Sequence, residues 1–204
     1  METIEQGLAR AIALLNAGQL EPAESCVQTL LARDGAHPAL HQLMAVLRER
    51  EQRWDEARAH IARSLAARPE HVPSLMIAAR IAQASGDAHG LRAALQQVLR
   101  VQPNAPDTWF ALSLACHALH ERDAEAQALQ RTLALQPDHV EANVNLGVVA
   151  QERGDLGAAM ACYGRAYRAR NDSFGRIANA LCSERSGALW LDLDALRDAL
   201  LRAA

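Results

Sequence analysis

The sequence predicts an all-α protein made of repeated helix–turn–helix pairs, and three observations carry that prediction. Half of the 204 residues are hydrophobic but only 3% are aromatic, so alanine and leucine supply most of the apolar surface. These residues favour closely packed helices, whereas strands favour β-branched and aromatic residues. The apolar residues recur with helical spacing, and the whole pattern returns with a fixed period of about 34 residues. Gly18, Gly86 and Gly154 mark turns at equivalent points of three copies.

Residues 137–171 show the repeated unit most clearly. The first helix has an apolar face, a turn follows at Gly154-Asp155, and the second helix has its own apolar face. The two faces consist of Ala142, Leu146, Val149 and Ala150, then Leu156, Ala159, Met160, Tyr163, Ala166 and Tyr167. A hairpin of this size leaves most of its apolar surface exposed, so copies must stack on both sides of it.

Five contiguous units follow this period without an insertion. They span 4–37, 38–71, 72–105, 106–139 and 140–173. When the five units are aligned, each of the 34 positions forms a column, numbered from the first residue of the unit. Column eight always holds a small residue, which allows two helices to cross closely: Ala11, Ala45, Ala79, Ser113 and Gly147. Column twenty-eight always holds a large side chain: Leu31, Leu65, Leu99, Leu133 and Tyr167. The thirty-second stops a helix: Gly35, Pro69, Pro103, Pro137 and Asn171.

The remaining residues, 174–204, no longer follow the columns. We expect a helix from Phe174 to Arg185, a break at Ser186-Gly187, and a last helix from about Asp194 capped by Asp192 or Asp194. As capping helices these would cover the final repeat with Phe174, Ile177, Leu181, Trp190, Leu193, Leu196 and Leu200. The alternative is a junction onto a further domain. Residues 1–204 are predicted to form a single solenoid domain.

These columns resemble those of a bacterial-type tetratricopeptide repeat array, and the resemblance covers about five-sixths of the chain. It implies a right-handed α-solenoid. Some positions depart from the family pattern: Arg10 replaces a leucine, which weakens the first unit, and Glu125 replaces an alanine, which is expected to loosen the fourth hairpin. Gln52 and His120 replace the turn glycine. The aromatic residue of column four remains only as Trp109, so packing there relies on Leu75.

The resemblance also implies where a partner binds, because in such arrays the first helices line a concave surface that takes peptides. The lining residues carried over are Leu8, Ile12, Gln42, Val46, Met76, Arg80, Gln83, Phe110, Leu114, His117, Val144, Asn145, Val148 and Gln151. Most are apolar, which favours a protein or peptide partner with apolar anchors and an acidic group for Arg80. In the alternative interpretation these side chains pack against each other and Arg80 pairs with Glu49. The predicted function is therefore a non-enzymatic scaffold or adaptor.

One use of the fold is excluded by the sequence. Arrays that grip the acidic tails of heat-shock chaperones need lysine and asparagine at the lining columns, but this chain contains no lysine, and Leu8 and Phe110 cannot replace it. An asparagine ladder like that of sugar-transferase arrays is also missing, since Asn145 alone occupies column six.

Two alternative functions stay open. The array could be a recruitment module of a larger bacterial enzyme of transferase or oxygenase type. It could also be a secretion-type chaperone, although these commonly use about three units. The partner's identity, its orientation and the oligomeric state are not predicted.

No catalytic, metal or cofactor site is predicted. The chain lacks a phosphate-binding glycine loop, an H-E-x-x-H motif and a nucleophile elbow. His37 with His41 and His117 with His120 have helical spacing but no third ligand at a fitting distance. Cys26, Cys116, Cys162 and Cys182 are scattered, which indicates small buried or half-buried thiols rather than disulfides or zinc ligands.

The charge pattern argues against nucleic-acid or membrane binding. The formal net charge is only −3, and no apolar stretch approaches the ~20 residues of a membrane span. Glu2 and Glu5 stand where a secretion signal would be basic, so a cytoplasmic location is expected. A cluster of arginines near the end of the fifth unit could dock an acidic partner, but support of helix carboxyl ends is the simpler interpretation. The cluster consists of Arg165, Arg168, Arg170 and Arg176.

The repeat register can be tested at Leu99, because side chains of column twenty-eight are expected to pack between adjacent repeats. Replacement of Leu99 by alanine should lower the free energy of unfolding by about 2–5 kcal/mol in urea denaturation. A near-neutral effect would show that the register is wrong.

Overall fold

The computed structural model describes residues 2–183 and 192–203, and in those residues the chain is helical without strands. The helices are α1 Ile4–Asn16, α2 Leu20–Leu31, α3 Pro38–Arg50, α4 Trp54–Ala67, α5 Val72–Ala84, α6 Ala88–Val101, α7 Pro106–Ala118, α8 Arg122–Leu135, α9 Val140–Glu152, α10 Leu156–Ala169, α11 Phe174–Ser183 and α12 Leu193–Arg202. A 3₁₀ turn at Asn171–Ser173 precedes α11. The predicted break at Ser186-Gly187 and the contribution of Trp190 lie outside the described residues. The all-α class of antiparallel helix pairs is confirmed.

The first helices of the five pairs begin at a constant interval, at positions 4, 38, 72, 106 and 140. Proline occupies the first turn of α3, α5 and α7, where its missing N–H costs no hydrogen bond. Asp87 and Asp155 cap the second helices α6 and α10 by accepting hydrogen bonds from Gly90 N and Ala158 N. Local sequence therefore sets the start of these first helices and, in two repeats, the start of the second.

The tight turn within each hairpin requires a left-handed backbone. Gly18, Gly86 and Gly154 adopt φ of 74°, 74° and 78° at that point. Gln52 and His120 take up nearly the same conformation, with φ of 59° and 58°, without being glycine. The turn geometry is thus preserved in the second and fourth repeats at the cost of an unfavourable backbone conformation for an L-residue.

The chain divides into two compact units, Met1–Pro103 (unit 1) and Asn104–Ala204 (unit 2). Unit 1 holds the hairpins α1/α2, α3/α4 and α5/α6, with α2 packed on α3 and α4 packed on α5. Ala11, Ala45 and Ala79, the small residues of column eight, are all buried here. One core joins α1, α2 and α3 and another joins α3, α4 and α5, so consecutive hairpins share their cores.

Unit 2 holds the hairpins α7/α8 and α9/α10, followed by α11 and α12. Its last hairpin combines the smallest residue of column eight with a large partner: a Cβ added at Gly147 would overlap the ring of Tyr163. Tyr163 is fully buried and packs with residues of α11 and α12. The glycine is therefore required because tyrosine fills the space that valine, isoleucine or leucine fills in the other hairpins.

The prediction that residues after Ser173 leave the register is wrong for the start of α11. This helix begins at Phe174, at the same interval from the start of α9 that separates the earlier first helices, and it packs on α9. Its column-eight residue is Leu181, which is buried and too large for a close helix crossing. Instead of a regular second helix, α12 packs on α10, where Gly164 allows its carboxyl end to approach: an added Cβ would lie 2.5 Å from the Leu200 carbonyl oxygen. Asp192 caps α12, as predicted.

Glycine at the strained turn should stabilise the protein. Replacement of Gln52 by glycine is expected to raise the free energy of unfolding by about 0.5–1 kcal/mol, because the left-handed conformation costs glycine no steric energy. Urea unfolding followed by circular dichroism measures the change. The control is Gln52→Ala, which removes the same side chain but keeps the strain and should not stabilise. Equal effects of the two substitutions would contradict the strain at this turn.

Candidate functional site

The predicted lining residues of unit 1 lie on its first helices, and we call them the first-helix face of unit 1. This face consists of Leu8, Ile12, Gln42, Val46, Met76, Arg80 and Gln83. Ile12 and Met76 are 47% and 44% exposed, whereas the column-eight residues on the same helices are buried. Leu8 and Val46 are half-buried against the cores beneath them. The face therefore presents two large exposed apolar side chains with a partly apolar surface between them.

Arg80 and Glu49 form a two-pronged ion pair on this face, linking α5 to α3. Arg80 Nη2 donates to Glu49 Oε2 at 2.5 Å, and Arg80 Nε donates to Glu49 Oε1. Hydrogen bonding to Glu49 raises the pKa of Arg80. The structure thus agrees with the alternative interpretation, in which Arg80 pairs with Glu49. Because the guanidinium already has a carboxylate partner within the chain, the predicted acidic group on the binding partner is not supported.

Gln42 is held in one orientation. Its Oε1 accepts hydrogen bonds from Arg68 Nη2 at 3.4 Å and from Ser74 Oγ at 3.3 Å. A guanidinium only donates, so the amide atom that faces Arg68 is the oxygen. The two N–H donors of Gln42 therefore lie on the opposite side of the amide.

The predicted lining residues of unit 2 are only partly available. On α7, Leu114 is 46% exposed and His117 is exposed, while Phe110 is half-buried and stacks on His139 with ring centroids 4.6 Å apart. On α9, Asn145 and Val148 are half-buried. We call these five positions, Phe110, Leu114, His117, Asn145 and Val148, the first-helix face of unit 2.

Val144 and Gln151 do not line an open surface, contrary to the prediction. Val144 is buried in the core that includes α11, and Gln151 has no exposed surface. Gln151 Nε2 donates to the carbonyl oxygen of Ala180 at 3.1 Å, and its Oε1 accepts a hydrogen bond from Tyr163 at 3.0 Å. Both residues are covered because α11 packs on α9, and the hydrogen bond from Gln151 to Ala180 links the two helices.

Glu125, which was expected to loosen the fourth hairpin, is instead held by a polar cluster. It is buried, and its two oxygens lie 2.9 Å from His117 Nδ1 and 2.9 Å from Arg122 Nη1. Arg122 also bonds Glu152 at 2.8 Å, which connects α8 to α9. The aligned repeats reveal the acidic residue but not its partners, because those partners occupy other columns.

A second polar cluster ties the first two hairpins of unit 1. Arg48 on α3 is buried and donates hydrogen bonds to Glu24 on α2 and to Glu51 at 2.7 Å, and its Nε lies 3.1 Å from Glu56 on α4. The bond from Arg48 lowers the pKa of the Glu24 carboxyl. Because the cation is surrounded by three carboxylates of its own unit, this cluster is structural rather than a partner site.

His41 contacts a histidine of the neighbouring helix α4. His41 Nδ1 lies 3.0 Å from His60 Nδ1, and His41 Nε2 lies 2.9 Å from the Gly35 carbonyl oxygen. That carbonyl only accepts, so a neutral His41 carries its proton on Nε2 and accepts at Nδ1 from His60. Burial, then His41, Arg63 and Arg48, lower the pKa of His60, while Glu56 opposes the shift. Among the described residues no three His, Cys, Asp or Glu side chains are placed to hold a metal ion.

The four arginines of the cluster near the end of the fifth repeat have partners inside the chain. Arg168 donates to the carbonyl oxygens of Leu200, Leu201 and Ala203, so it supports the carboxyl end of α12 rather than that of its own helix. The other three are engaged too: Arg165 with Asn143, and Arg170 and Arg176 with Glu141. A 450 Å³ cleft lies beside Arg165 and Arg168, but Asp138 shares its lining, which disfavours an anion.

The cysteines agree with the predicted thiols in three of four cases. Cys26, Cys116 and Cys162 are buried, and burial raises the pKa of the Cys162 thiol. Cys182 is exposed, contrary to the prediction, because α11 places it at column nine, a position that faces away from the core.

Comparison with known proteins identifies the class. A family model described as tetratricopeptide repeat matches residues 8–72 and 122–174, which together make up more than half of the chain. The chain belongs to the tetratricopeptide repeat family. No curated protein sequence matches it.

Solved structures show the same fold at low sequence identity. The chain is similar to YrrB, described as a TPR protein with an unusual peptide-binding site, with a TM-score of 0.72 and 16% identity over 84% of this chain and 88% of that one. It is also similar to MamA from Desulfovibrio magneticus RS-1, residue 41 to the end, with a TM-score of 0.68 and 15% identity over 82% and 95% of the two chains. A double mutant of MamA RS-1 gives a TM-score of 0.71 and 15% identity over 83% and 95%. Sequence identities this low support a common fold but do not show that equivalent residues have the same role.

The histidine pair makes the stability of the protein depend on pH. The pKa of His60 is lower in the folded than in the unfolded chain, so the unfolded chain binds more protons as the solution is acidified. The free energy of unfolding should therefore fall as the pH drops from about 7 to about 5. Urea titrations at several pH values measure this dependence.

The matched control for this prediction is a second histidine of the same unit. His60→Gln should weaken the pH dependence without removing it, because burial also lowers the pKa of His71, whereas His89→Gln, which removes an exposed histidine of α6, should leave it unchanged. If His60→Gln has the same pH profile as the unsubstituted chain, the histidine pair does not control acid stability.

Proposed function

We propose that this chain is a protein-interaction scaffold that binds a peptide or a protein segment on the first helices of its repeats. The observation that carries the proposal is the exposure of Ile12, Met76 and Leu114 at the lining columns. Large apolar side chains held in water by rigid helices lower their free energy when a partner covers them.

The chain acts without chemistry of its own in this proposal. The buried polar groups described above bond one another, as Glu125 does with Arg122 and Gln151 with Tyr163. Such pairs stabilise the hairpins. None of the helices in the described ranges combines the length and apolar character that crossing a bilayer requires. The cytoplasmic location and bacterial origin stay predictions from the sequence.

Charge on the exposed apolar positions should abolish partner binding. Met76→Glu combined with Leu114→Glu places a carboxylate where an apolar side chain of the partner would sit, and desolvation of that carboxylate opposes binding. The measurement is a quantitative affinity purification from lysate with the tagged chain. Partners of the unsubstituted chain should be lost, while helicity by circular dichroism stays the same because both positions are exposed.

The control uses equally exposed leucines elsewhere. Leu193 and Leu201 on α12 are 50% and 53% exposed and are not lining positions. Leu193→Glu with Leu201→Glu should therefore leave binding intact. Retained binding in the first variant, or lost binding in the control, would place the partner site elsewhere.

A further inference from the structure

Two histidines meet inside the second hairpin of unit 1. His41 on α3 and His60 on α4 stand in columns four and twenty-three, which in the third repeat hold Leu75 and Ala94. His41 keeps only 5% of its surface exposed. Burial of an imidazole where an apolar side chain would fit costs free energy unless the ring nitrogens have partners. The placement of those nitrogens shows what the pair can bind.

The ring of His41 is oriented as metal-binding histidines are. Its Nε2 lies 2.9 Å from the carbonyl oxygen of Gly35, and that oxygen only accepts, so a neutral His41 carries its proton on Nε2 and a lone pair on Nδ1. Histidine ligands usually donate their second ring N–H to a backbone carbonyl or a carboxylate, which fixes the tautomer and the ring. The lone pair of His41 Nδ1 is therefore held toward His60.

The distance between the two Nδ1 atoms matches two neighbouring positions around one metal ion. These atoms lie 3.0 Å apart. Two imidazole nitrogens that bind one ion at about 2.0–2.1 Å lie about 2.9 Å apart when the bonds form a right angle, and about 3.3 Å apart when the angle is tetrahedral. The rings must turn until both lone pairs point at the ion, but the nitrogens stay nearly in place. Right angles are typical of Ni²⁺ and Cu²⁺ sites, so these ions fit better than Zn²⁺.

The protons of the pair allow an ion to enter. Without an ion, His60 Nδ1 donates its proton to His41 Nδ1. When an ion binds, that proton moves through solvent to Nε2 of the His60 ring, so both rings stay neutral and both Nδ1 lone pairs are free. No third His, Cys, Asp or Glu side chain of the described ranges is placed to join them, so water molecules fill the remaining positions around the ion.

The charges around the pair largely cancel. Arg48 and Arg63 act on His60 as positive charges, and Glu56 acts as a negative one. Arg48 is itself held by three carboxylates of its own unit, which offset its charge. Arg63 is exposed, so water and salt screen its repulsion. A divalent ion at the two rings therefore meets no large net positive charge.

We propose that His41 and His60 bind a divalent transition-metal ion of the Ni²⁺ or Cu²⁺ type through their Nδ1 atoms, and that the bound ion clamps α3 to α4. Folding brings the two rings together, so an ion that binds both stabilises the folded chain over the unfolded one. This inference does not depend on the proposed function, because it assigns a ligand to the interior of one hairpin and not to the first-helix face.

The test uses Ni²⁺ alone as the probe and the full chain without an affinity tag. Calorimetric titration at about pH 7.5 should show one tight site per chain, and His60→Gln should weaken it at least about tenfold by removing one of the two nitrogen ligands. His89→Gln, which removes an exposed histidine of α6, is the matched control and should keep the affinity. Ni²⁺ should raise the urea midpoint of the unsubstituted chain and of His89→Gln but not that of His60→Gln.

NMR of the histidine rings locates the ion without a substitution, so the test holds even if His60→Gln fails to fold. Paramagnetic Ni²⁺, added at less than one ion per chain, should broaden the ring signals of His41 and His60 before those of His89 and His117. If the exposed histidines broaden first, or if a folded His60→Gln binds Ni²⁺ as tightly as the unsubstituted chain, the ion is held adventitiously at the surface and the inference is overturned. It is also overturned if the unsubstituted chain binds no Ni²⁺ at concentrations of about 1 mM.

Discussion

Burial of one hairpin's apolar surface against the next is the interaction on which each unit depends. In unit 1, one core takes residues from α1, α2 and α3, and the next from α3, α4 and α5, so α3 belongs to both. The small residues of column eight make this possible, because Ala11 and Ala45 let the helices of a hairpin approach until no surface of either residue is exposed. A hairpin removed from its neighbours would lose much of this burial, which is why the repeat, rather than any single helix, is the unit of stability.

The separation of packing residues from exposed residues explains why the first helices can carry a partner site. Their packing residues face the neighbouring helices, and the remaining face holds Ile12 and Met76 in contact with water. In unit 2, α11 covers part of the first-helix face. It lies where the first helix of another repeat would start, and Val144 and Gln151 are buried as a result. In α9, two of the predicted lining residues are therefore packing residues, whereas Ile12 on α1 and Met76 on α5 stay exposed.

The fold was predictable from the sequence because its determinants are local and periodic. Helix length, the turn position and the small-residue column recur with every repeat, and each follows from steric and hydrogen-bonding preferences of single residues. The site was less predictable because pairings between different columns decide which side chains are free. From the sequence, Arg80 could be a free cation or a partner of Glu49, and spacing along one helix did not indicate that α4 brings His60 to His41. The start of α11 at Phe174 was predicted, but its place in the 34-residue register was not, since Leu181 breaks the small-residue pattern of column eight.

The central claim is that exposed side chains of the first helices bind a partner while the buried ones pack, and methionine methyl NMR tests it most directly. Met76 is exposed on a first helix, whereas Met44 is buried in the core of the same unit, so the two methyl groups provide a reporter and an internal reference within one sample. Titration of the methyl-labelled chain with a peptide from a partner that affinity purification identifies should shift and saturate the Met76 signal and leave the Met44 signal in place. A titration in which Met76 stays unchanged while the peptide binds would contradict the claim.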